Sequence, residues 1–154
     1  ITSHCFGRTY LMGRPIYETD ENKKEEKSIG KIISRVWKSE VWKLPPLANC
    51  GDLLLARSNE LVAIVEIKRR YNEMSRYDTY MISKGKLERI TEAAERLGVA
   101  GLVVVQFSDF LAYFYADRAL ETGVVATGGR YDRDDPQDTE EVVHIPMIEL
   151  MVME

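Results

Sequence analysis

Two short apolar segments joined by turn-forming residues constrain the fold of this chain more than any other feature. Residues 52–56 and 61–68 are rich in Leu, Val and Ile, and Ser58-Asn59-Glu60 lie between them. This pattern predicts a β-hairpin with a polar turn. Because both segments are apolar on both faces, we expect the hairpin inside a sheet that helices cover on each side.

The predicted hairpin brings three ionisable side chains together. If the turn is centred on Asn59, Asp52 lies directly opposite Glu66. Directly opposite residues share a face of the sheet, and Glu66 and Lys68 share it as well because side chains alternate along a strand. Asp52, Glu66 and Lys68 are therefore predicted to project from one face, an arrangement that a slip of one residue would break.

Two carboxylates facing each other in an apolar sheet require a compensating charge, since like charges repel and desolvation is costly. Lys68 offsets part of that charge. A hard divalent cation would offset the rest, because Mg²⁺ takes one or two carboxylates while it keeps several waters. The backbone carbonyl of Ile67, between Glu66 and Lys68, is a further candidate oxygen ligand.

Such a group of residues suits the hydrolysis of phosphodiester bonds. A bound metal polarises the phosphate and lowers the pKa of a coordinated water. Lys68 can position or help deprotonate the attacking water and stabilise negative charge on the phosphate oxygens. The alternative is a salt-bridged strand end without catalytic role, in which a surface ion pair contributes about 0–1 kcal/mol.

Two amphipathic helices are predicted on either side of the hairpin in sequence. The first covers about 21–38, where apolar residues recur at helical spacing and Thr19 or Asp20 can cap the N-terminus. The second begins after Ser83, which can cap it, and ends before Gly98.

The remaining segments complete an α/β pattern. Strands are predicted at 41–44, 101–107, 111–116 and 142–146, the last as an edge strand, whereas 1–18, 71–82 and 127–140 are predicted as an irregular arm and two loops. Strand runs separated by helices indicate a sheet with helices on both faces. The chain is expected to be one domain over 1–154, with its core at about 20–116 and a C-terminal loop and edge strand over 117–154.

An Asp, a hairpin turn and a Glu-x-Lys, flanked by an acidic helix and a later amphipathic helix, resemble the PD-(D/E)XK nuclease superfamily. In this chain the motif is Gly51-Asp52 followed by Glu66-Ile67-Lys68, with Gly51 where the family usually has Pro. The resemblance implies a restriction-endonuclease-like three-layer α/β/α core with a central mixed β-sheet. It also implies a nuclease that depends on Mg²⁺ or Mn²⁺ and hydrolyses DNA.

The chain looks most similar to small phage-type nucleases of that superfamily. The residues that carry this finer likeness are Tyr17-Glu18-Thr19 before the first helix and Ser83 and Lys86 at the start of the second.

The resemblance implies two further site residues, one on each helix. The family usually has a helix Glu that reaches the metal, for which Glu26 is preferred because it lies three residues before Ile29 on the core-facing stripe. Glu25 is the close alternative. Lys86 is expected to complete the catalytic group, with Lys84 as its competitor. The expected metal ligands are then Asp52, Glu66, Glu26 and the Ile67 carbonyl.

A local basic rim is predicted to bind the substrate. The net charge of −4 argues against a protein that coats nucleic acid non-specifically, because such binding depends on many Lys and Arg contacts to phosphate. Arg69, Arg70 and Lys84 would nevertheless form a phosphate-binding rim beside the site. DNA is the expected substrate, and RNA is not excluded.

Two other functions fit the same residues. One is a non-catalytic nucleic-acid-binding or assembly module with the same fold, and the other is a structure-specific, junction-resolving dimer. A homodimer is therefore an open expectation. No apolar run approaches the roughly 18 residues that a membrane-spanning helix needs, so we expect a protein of the cytoplasm (the host cytoplasm, if it is phage-encoded).

Overall fold

A computed structural model describes residues 19–45, 50–129 and 139–153 of the chain. Within these ranges the polypeptide forms three α-helices and nine β-strands. The helices are α1 (Asp20–Val36), α2 (Lys84–Leu97) and α3 (Ala116–Thr122). The strands are β1 (Glu40–Lys43), β2 (Leu53–Arg57), β3 (Glu60–Arg69), β4 (Thr79–Ser83), β5 (Ala100–Gln106), β6 (Leu111–Tyr115), β7 (Val124–Gly129), β8 (Thr139–Pro146) and β9 (Met151–Val152).

The strands form a large mixed sheet and a small antiparallel sheet. The large sheet has the order β1-β2-β3-β5-β6-β9, and the small one has the order β4-β8-β7. In the large sheet β3 and β5 are parallel, and all other neighbouring strands are antiparallel to each other. The strand that carries Glu66 and Lys68 therefore lies in the interior of the sheet, between β2 and β5.

Side chains of the large sheet alternate between two apolar layers. On one face, Ile29 and Ile33 of α1 pack with a group that includes Leu53, Val65 and Leu102. On the other face, α2 and the small sheet pack against residues such as Val103 and Val105 of β5. The predicted three-layer α/β/α arrangement of a restriction-endonuclease-like fold is confirmed.

The hairpin has the predicted register at the end that carries the site. Its turn is formed by Ser58 and Asn59 alone, both with positive φ (53° and 65°), as two-residue hairpin turns require. One extra residue, Val62, bulges out of the pairing near the turn. Beyond the bulge, Leu53 pairs with Val65, which is the expected register. Glu60, predicted in the turn, is instead the first residue of β3.

Both predicted helices are present and are capped as expected. The Thr19 hydroxyl accepts a hydrogen bond from the backbone N–H of Asn22 at the start of α1. The Ser83 hydroxyl accepts one from the N–H of Lys86 at the start of α2. Gly98 ends α2 in the left-handed conformation, with φ of 67°.

The predicted loop over 71–82 is partly wrong, because Thr79–Ser83 forms β4. In this strand Tyr80 and Ile82 are buried, whereas Thr79 and Met81 are exposed. The alternation spans only five residues and follows a polar stretch, so it gave a weak signal.

The predicted C-terminal loop and edge strand over 117–154 are also partly wrong. Ala116–Thr122 forms helix α3, and part of the predicted loop over 127–140 belongs to strands β7 and β8. Residues 142–146 lie within β8, which is the central strand of the small sheet and not an edge strand.

Some predictions concern residues outside the described ranges. They are the irregular arm at 1–18, with Tyr17 and Glu18, and positions 130–138 of the predicted loop. The single domain over 1–154 also stays a prediction. Among the described residues, no helix has the length and apolar composition needed to cross a membrane.

Candidate active site

Asp52 lies immediately before β2. The residue before it, Gly51, has a backbone conformation that residues with a side chain rarely adopt. The N–H of Asp52 donates to the carbonyl of Val65 and its carbonyl accepts from the N–H of Leu44, each at 2.8 Å. Gly51 has φ of +150°, and a Cβ there would lie 2.6 Å from Cγ2 of Ile64. Because proline fixes φ near −65°, the usual family Pro could not adopt this conformation.

The Asp52 and Glu66 side chains meet beneath the surface. Glu66 is only 4% exposed, and each of the two carboxyl groups shifts the pKa of the other. The second contact of Asp52 is with Ile67, whose backbone N–H donates to Oδ2 at 2.7 Å. The N–H of Ile67, and not its carbonyl, makes this contact. The expected role of the Ile67 carbonyl as a metal ligand therefore stays a prediction.

The pKa values of the two carboxyl groups are displaced in opposite directions. Burial raises the pKa of Asp52 well above its usual range, and the charges of Glu66 and Glu26 raise it further against the opposing effects of the Ile67 N–H and Lys68. Burial also acts to raise the pKa of Glu66. The ammonium groups of Lys86 and Lys68 and the hydrogen bond from Asp52 outweigh it, so that pKa is lowered. The environment therefore favours the neutral form of Asp52 and the charged form of Glu66.

Two lysines approach the same oxygen of Glu66 from different elements. Nζ of Lys68, on β3, lies 3.4 Å from Oε1, and Nζ of Lys86, on α2, lies 3.3 Å from it. Lys84 points elsewhere, because its Nζ lies 3.8 Å from Glu141 on the small sheet. The structure therefore brings Lys86, and not Lys84, to the carboxylate pair.

Glu26 lies beside the pair in an ion pair of its own. Its side chain is buried on α1, and Nζ of Lys43 lies 2.6 Å from its Oε1. Glu25 is more exposed, and its Oε1 lies 4.0 Å from Nε of Arg69. Glu26 is therefore the more buried of the two, and its charge contributes to the raised pKa of Asp52.

The donor set fits a hard divalent cation with a partly aqueous shell. Within the described ranges, no three His, Cys, Asp or Glu side chains gather closely enough to hold a metal by themselves. Asp52 and Glu66 do supply two adjacent carboxylates in a buried setting. That number of protein ligands suffices for Mg²⁺, which retains several of its waters.

The three cations of the predicted phosphate rim diverge. Arg69 donates through Nη1 to the carbonyls of Gln106 and Phe107, both at 3.0 Å, and so fastens the end of β5. Arg70, the residue after β3, donates to the carbonyl of Met81 on β4 at 3.2 Å. With Lys84 directed towards Glu141, the structure does not bring the three together, and their contact with nucleic acid stays a prediction.

Two residues near the site were missed from the sequence. Lys43 pairs with Leu53 across β1 and β2, next to Asp52, so a predicted β1 register would have found it. Tyr80 was assigned to a loop, although its hydroxyl is buried without a hydrogen-bond partner among the described residues. The pKa of Tyr80 is raised to about 12, chiefly by burial. The charge of Arg70 lowers this pKa and that of Glu66 raises it, so the hydroxyl lies within electrostatic reach of both residues.

Comparisons with known proteins identify the family and the fold of this chain. A family model described as "Phage putative PDDEXK endonuclease" matches residues 12–152. Among solved structures, this chain is similar to Hjc of Archaeoglobus fulgidus, a Holliday junction resolvase from an archaeal hyperthermophile. The TM-score is 0.53 at 12% identity, and the alignment covers 82% of this chain and 84% of Hjc. At this identity the likeness shows a shared fold. No curated protein matches the chain.

Proposed function

Because the chain belongs to the phage PDDEXK endonuclease family, we propose that it is a metal-dependent nuclease that hydrolyses phosphodiester bonds of DNA. The observation that carries the proposal is the buried Asp52–Glu66 pair, with Lys68 and Lys86 within 3.4 Å of one Glu66 oxygen. Carboxylates that only stabilised the fold would not need to adjoin each other in a layer of apolar side chains.

Asp52 and Glu66 would hold Mg²⁺ or Mn²⁺, with the Ile67 carbonyl as an additional oxygen ligand. Glu26 would join them after exchanging its contact with Lys43. When bound, the ion polarises the phosphate and lowers the pKa of a coordinated water.

The lysines would act on the water and on the phosphate. Lys68 is 30% exposed, so its ammonium group can reach both the buried carboxylate and a substrate at the surface. It would orient the attacking water and stabilise the negative charge that builds on the phosphate oxygens. Lys86 is more buried and would keep Glu66 ionised while adding a second positive charge.

A four-way DNA junction is the second candidate substrate. It is favoured by the fold shared with Hjc, a Holliday junction resolvase, and it would imply a homodimer. The place of action that we propose is the cytoplasm, that of the host if a phage encodes the chain.

Cleavage assays with matched variants test the proposal. Plasmid, linear duplex and four-way junction DNA would be incubated with Mg²⁺ or Mn²⁺, with and without EDTA. We expect cleavage that EDTA abolishes and that falls at least about 100-fold in Lys68→Ala. Lys31 is an exposed lysine in the C-terminal half of α1, and Lys31→Ala should leave the cleavage rate unchanged.

Each alternative result has a defined meaning. Cleavage that survives EDTA, or an equal rate in Lys68→Ala, would rule out the mechanism. Binding of DNA without cleavage in either metal would instead establish the non-catalytic module. Light scattering together with selective cutting of the junction would identify the resolving dimer.

A further inference from the structure

Cations and aromatic rings alternate in the segment that follows β3. The structure contains three arginine–tyrosine stacks there: Arg69 on Tyr71, Arg70 on Tyr80, and Arg76 on Tyr77. The distances from guanidinium carbon to ring centroid are 4.8, 5.0 and 5.6 Å, respectively. Tyr71 and Tyr77 are 74% and 58% exposed. Exposed aromatic rings interleaved with positive charge are the combination with which proteins bind unpaired nucleotides.

A cavity opens beside the middle stack. Its volume is about 380 Å³, and its lining includes Arg70, Tyr77, Tyr80, Met81, Phe107 and His144. This volume falls in the range of small-ligand sites, about 300–1,000 Å³. Most of the wall is aromatic or aliphatic, with few polar groups. One of them is Nδ1 of His144, which lies 3.1 Å from the Thr79 hydroxyl.

The cavity is connected to the candidate active site through the end of β3, because Arg70, which lines the cavity, follows directly after this strand. Arg70 and Lys68 are two residues apart, a span of about 6.6 Å in an extended chain. Tyr80 connects the two places as well, because its hydroxyl lies within electrostatic reach of both Arg70 and Glu66. A nucleic acid whose phosphate lies at Lys68 can therefore place a neighbouring nucleotide at the cavity.

We propose that this cavity binds one unpaired nucleobase of the substrate, next to the phosphodiester bond that the Asp52–Glu66 pair cleaves. The inference rests on the proposed function and adds a substrate class to it. The preferred substrates are nucleic acids with an unpaired nucleotide at the cleavage point, such as single-stranded overhangs and flaps. A base within a continuous duplex reaches the cavity only after it loses its stacking and pairing contacts.

Charge complementarity favours a nucleotide over an uncharged apolar ligand. Arg70 lines the cavity, and Arg76 lies against Tyr77 at its edge. Arg70 is held by its bond to the Met81 carbonyl and by its contact with the Tyr80 ring. A base would stack on Tyr77, and its flanking phosphate would meet a guanidinium group already fixed in place.

A binding experiment with a fluorescent base tests the cavity without requiring cleavage. The protein would have its native sequence and EDTA would be present to prevent cleavage, and the probe would be an oligonucleotide duplex with 2-aminopurine in a single-stranded overhang. The control probe has the same base within a complete duplex. We expect stacking to quench the overhang probe, and Tyr77→Ala to weaken its binding roughly 5- to 100-fold. Duplex binding should change little.

Two further variants control for folding and for the general loss of an aromatic ring. Tyr77→Phe keeps the stacking surface and should retain tight binding of the overhang. Tyr115→Ala removes a tyrosine of similar exposure (40%) that does not line the cavity, and binding should be unchanged. An RNA overhang tested in parallel shows whether the sugar matters, and tight quenched binding of either overhang supports the proposal.

The outcomes separate this proposal from the proposed function. An unquenched overhang, or equal loss of overhang and duplex binding in Tyr77→Ala, overturns the base-binding cavity even if Mg²⁺-dependent cleavage is observed. If wild-type protein cleaves nothing in either metal, but the quench and its loss in Tyr77→Ala are found, the cavity stands and the nuclease proposal fails.

Discussion

At the scale of single residues, the candidate site combines an unfavourable contact with the means to tolerate it. Asp52 and Glu66 approach each other where burial penalises a second charge, and the pKa of Asp52 is accordingly raised while that of Glu66 is lowered. Lys68 and Lys86 then stabilise the charge that remains on Glu66. Such groups are costly to bury, and they occur where a cation or a reacting group repays the cost.

Tyr80 makes the stability of the protein depend on alkaline pH. Its pKa is raised to about 12 in the folded chain, against about 10 when unfolded. A raised pKa contributes stability that is complete below pH 10 and is lost as the pH rises through 12, up to roughly 2–3 kcal/mol. We expect the free energy of unfolding of wild type to fall more steeply over this interval than that of Tyr80→Phe.

Chemical denaturation at several pH values measures this difference. At neutral pH, Tyr80→Phe should be neutral or stabilising by up to about 1 kcal/mol, because it removes a buried hydroxyl without a partner in the described structure. Tyr115→Phe, at a more exposed position, serves as control and should follow wild type. Parallel curves for wild type and Tyr80→Phe would contradict the prediction.

Gly51 is required by space as well as by backbone angle. Gly51→Ala would place a Cβ 2.6 Å from Ile64 at φ of +150°, so we expect a loss of about 2–4 kcal/mol in the free energy of unfolding. Gly98→Ala is the matched control, since Gly98 also has positive φ (67°) but nothing lies within 4 Å of its added Cβ. It should cost only about 1–2 kcal/mol in a urea titration. Equal losses would show that the approach to β3 is unimportant.

At the scale of elements, the start of α2 connects stability with the position of Lys86. Ser83 accepts from the Lys86 N–H at 3.2 Å and donates to Oε2 of Glu140 at 2.8 Å. Ser83→Ala should therefore lower the free energy of unfolding by about 1 kcal/mol and should also reduce cleavage, because the first turn that carries Lys86 loosens.

Thr19→Ala is the comparison for that prediction. Thr19 caps α1 in the same manner but is exposed and lies seven residues before Glu26. Thermal melts and cleavage rates of both variants would be measured together. If Thr19→Ala reduces cleavage as much as Ser83→Ala, the effect is general destabilisation and not displacement of Lys86.

The sequence predicts a helix or strand well where its apolar residues follow one uninterrupted periodic pattern. The hairpin, α1 and α2 have unbroken apolar patterns, and their positions follow from local rules. Strand β4 and helix α3 were missed because their apolar positions are few and obtain their burial from contacts distant in sequence, such as Ile82 with Val143. The bulge at Val62 was also not foreseen, although it restores the register on which the Asp52–Glu66 contact depends.

The same distinction applies to the site. Asp52, Glu66 and Lys68 are recognisable because their spacing follows from one hairpin. Lys43 reaches Glu26 only through the pairing of β1 with β2, and the register of that pair has no signature in a four-residue strand that two prolines follow. Interactions between elements were therefore the part that the sequence left open.

At the scale of the whole molecule, metal binding and folding should be coupled. The raised pKa of Asp52 means that burying this carboxyl group lowers stability at neutral pH, so without metal we expect a higher melting temperature for Asp52→Asn than for wild type. Mg²⁺ should stabilise wild type by about 2.7 kcal/mol at a concentration 100 times its dissociation constant, and this gain should disappear in Asp52→Asn.

Thermal melts in EDTA and across a Mg²⁺ titration check both effects. Asp20→Asn, which changes an exposed carboxylate in the first turn of α1, should keep the full response to Mg²⁺. A response to Mg²⁺ that is equal in wild type and Asp52→Asn would place the ion elsewhere.

The parallel pairing of β3 with β5 has a consequence for when the enzyme becomes active. An isolated hairpin would contain Asp52, Glu66 and Lys68, and hence every charged residue of the sequence motif. Lys86 belongs to residues 70–99, the stretch through which the chain crosses back to pair β5 with β3. A ribosome that has released only the hairpin has therefore not yet released all residues of the candidate site. If Lys86 acts as proposed, the cell that synthesises this chain is exposed to nuclease activity only after the crossover has closed.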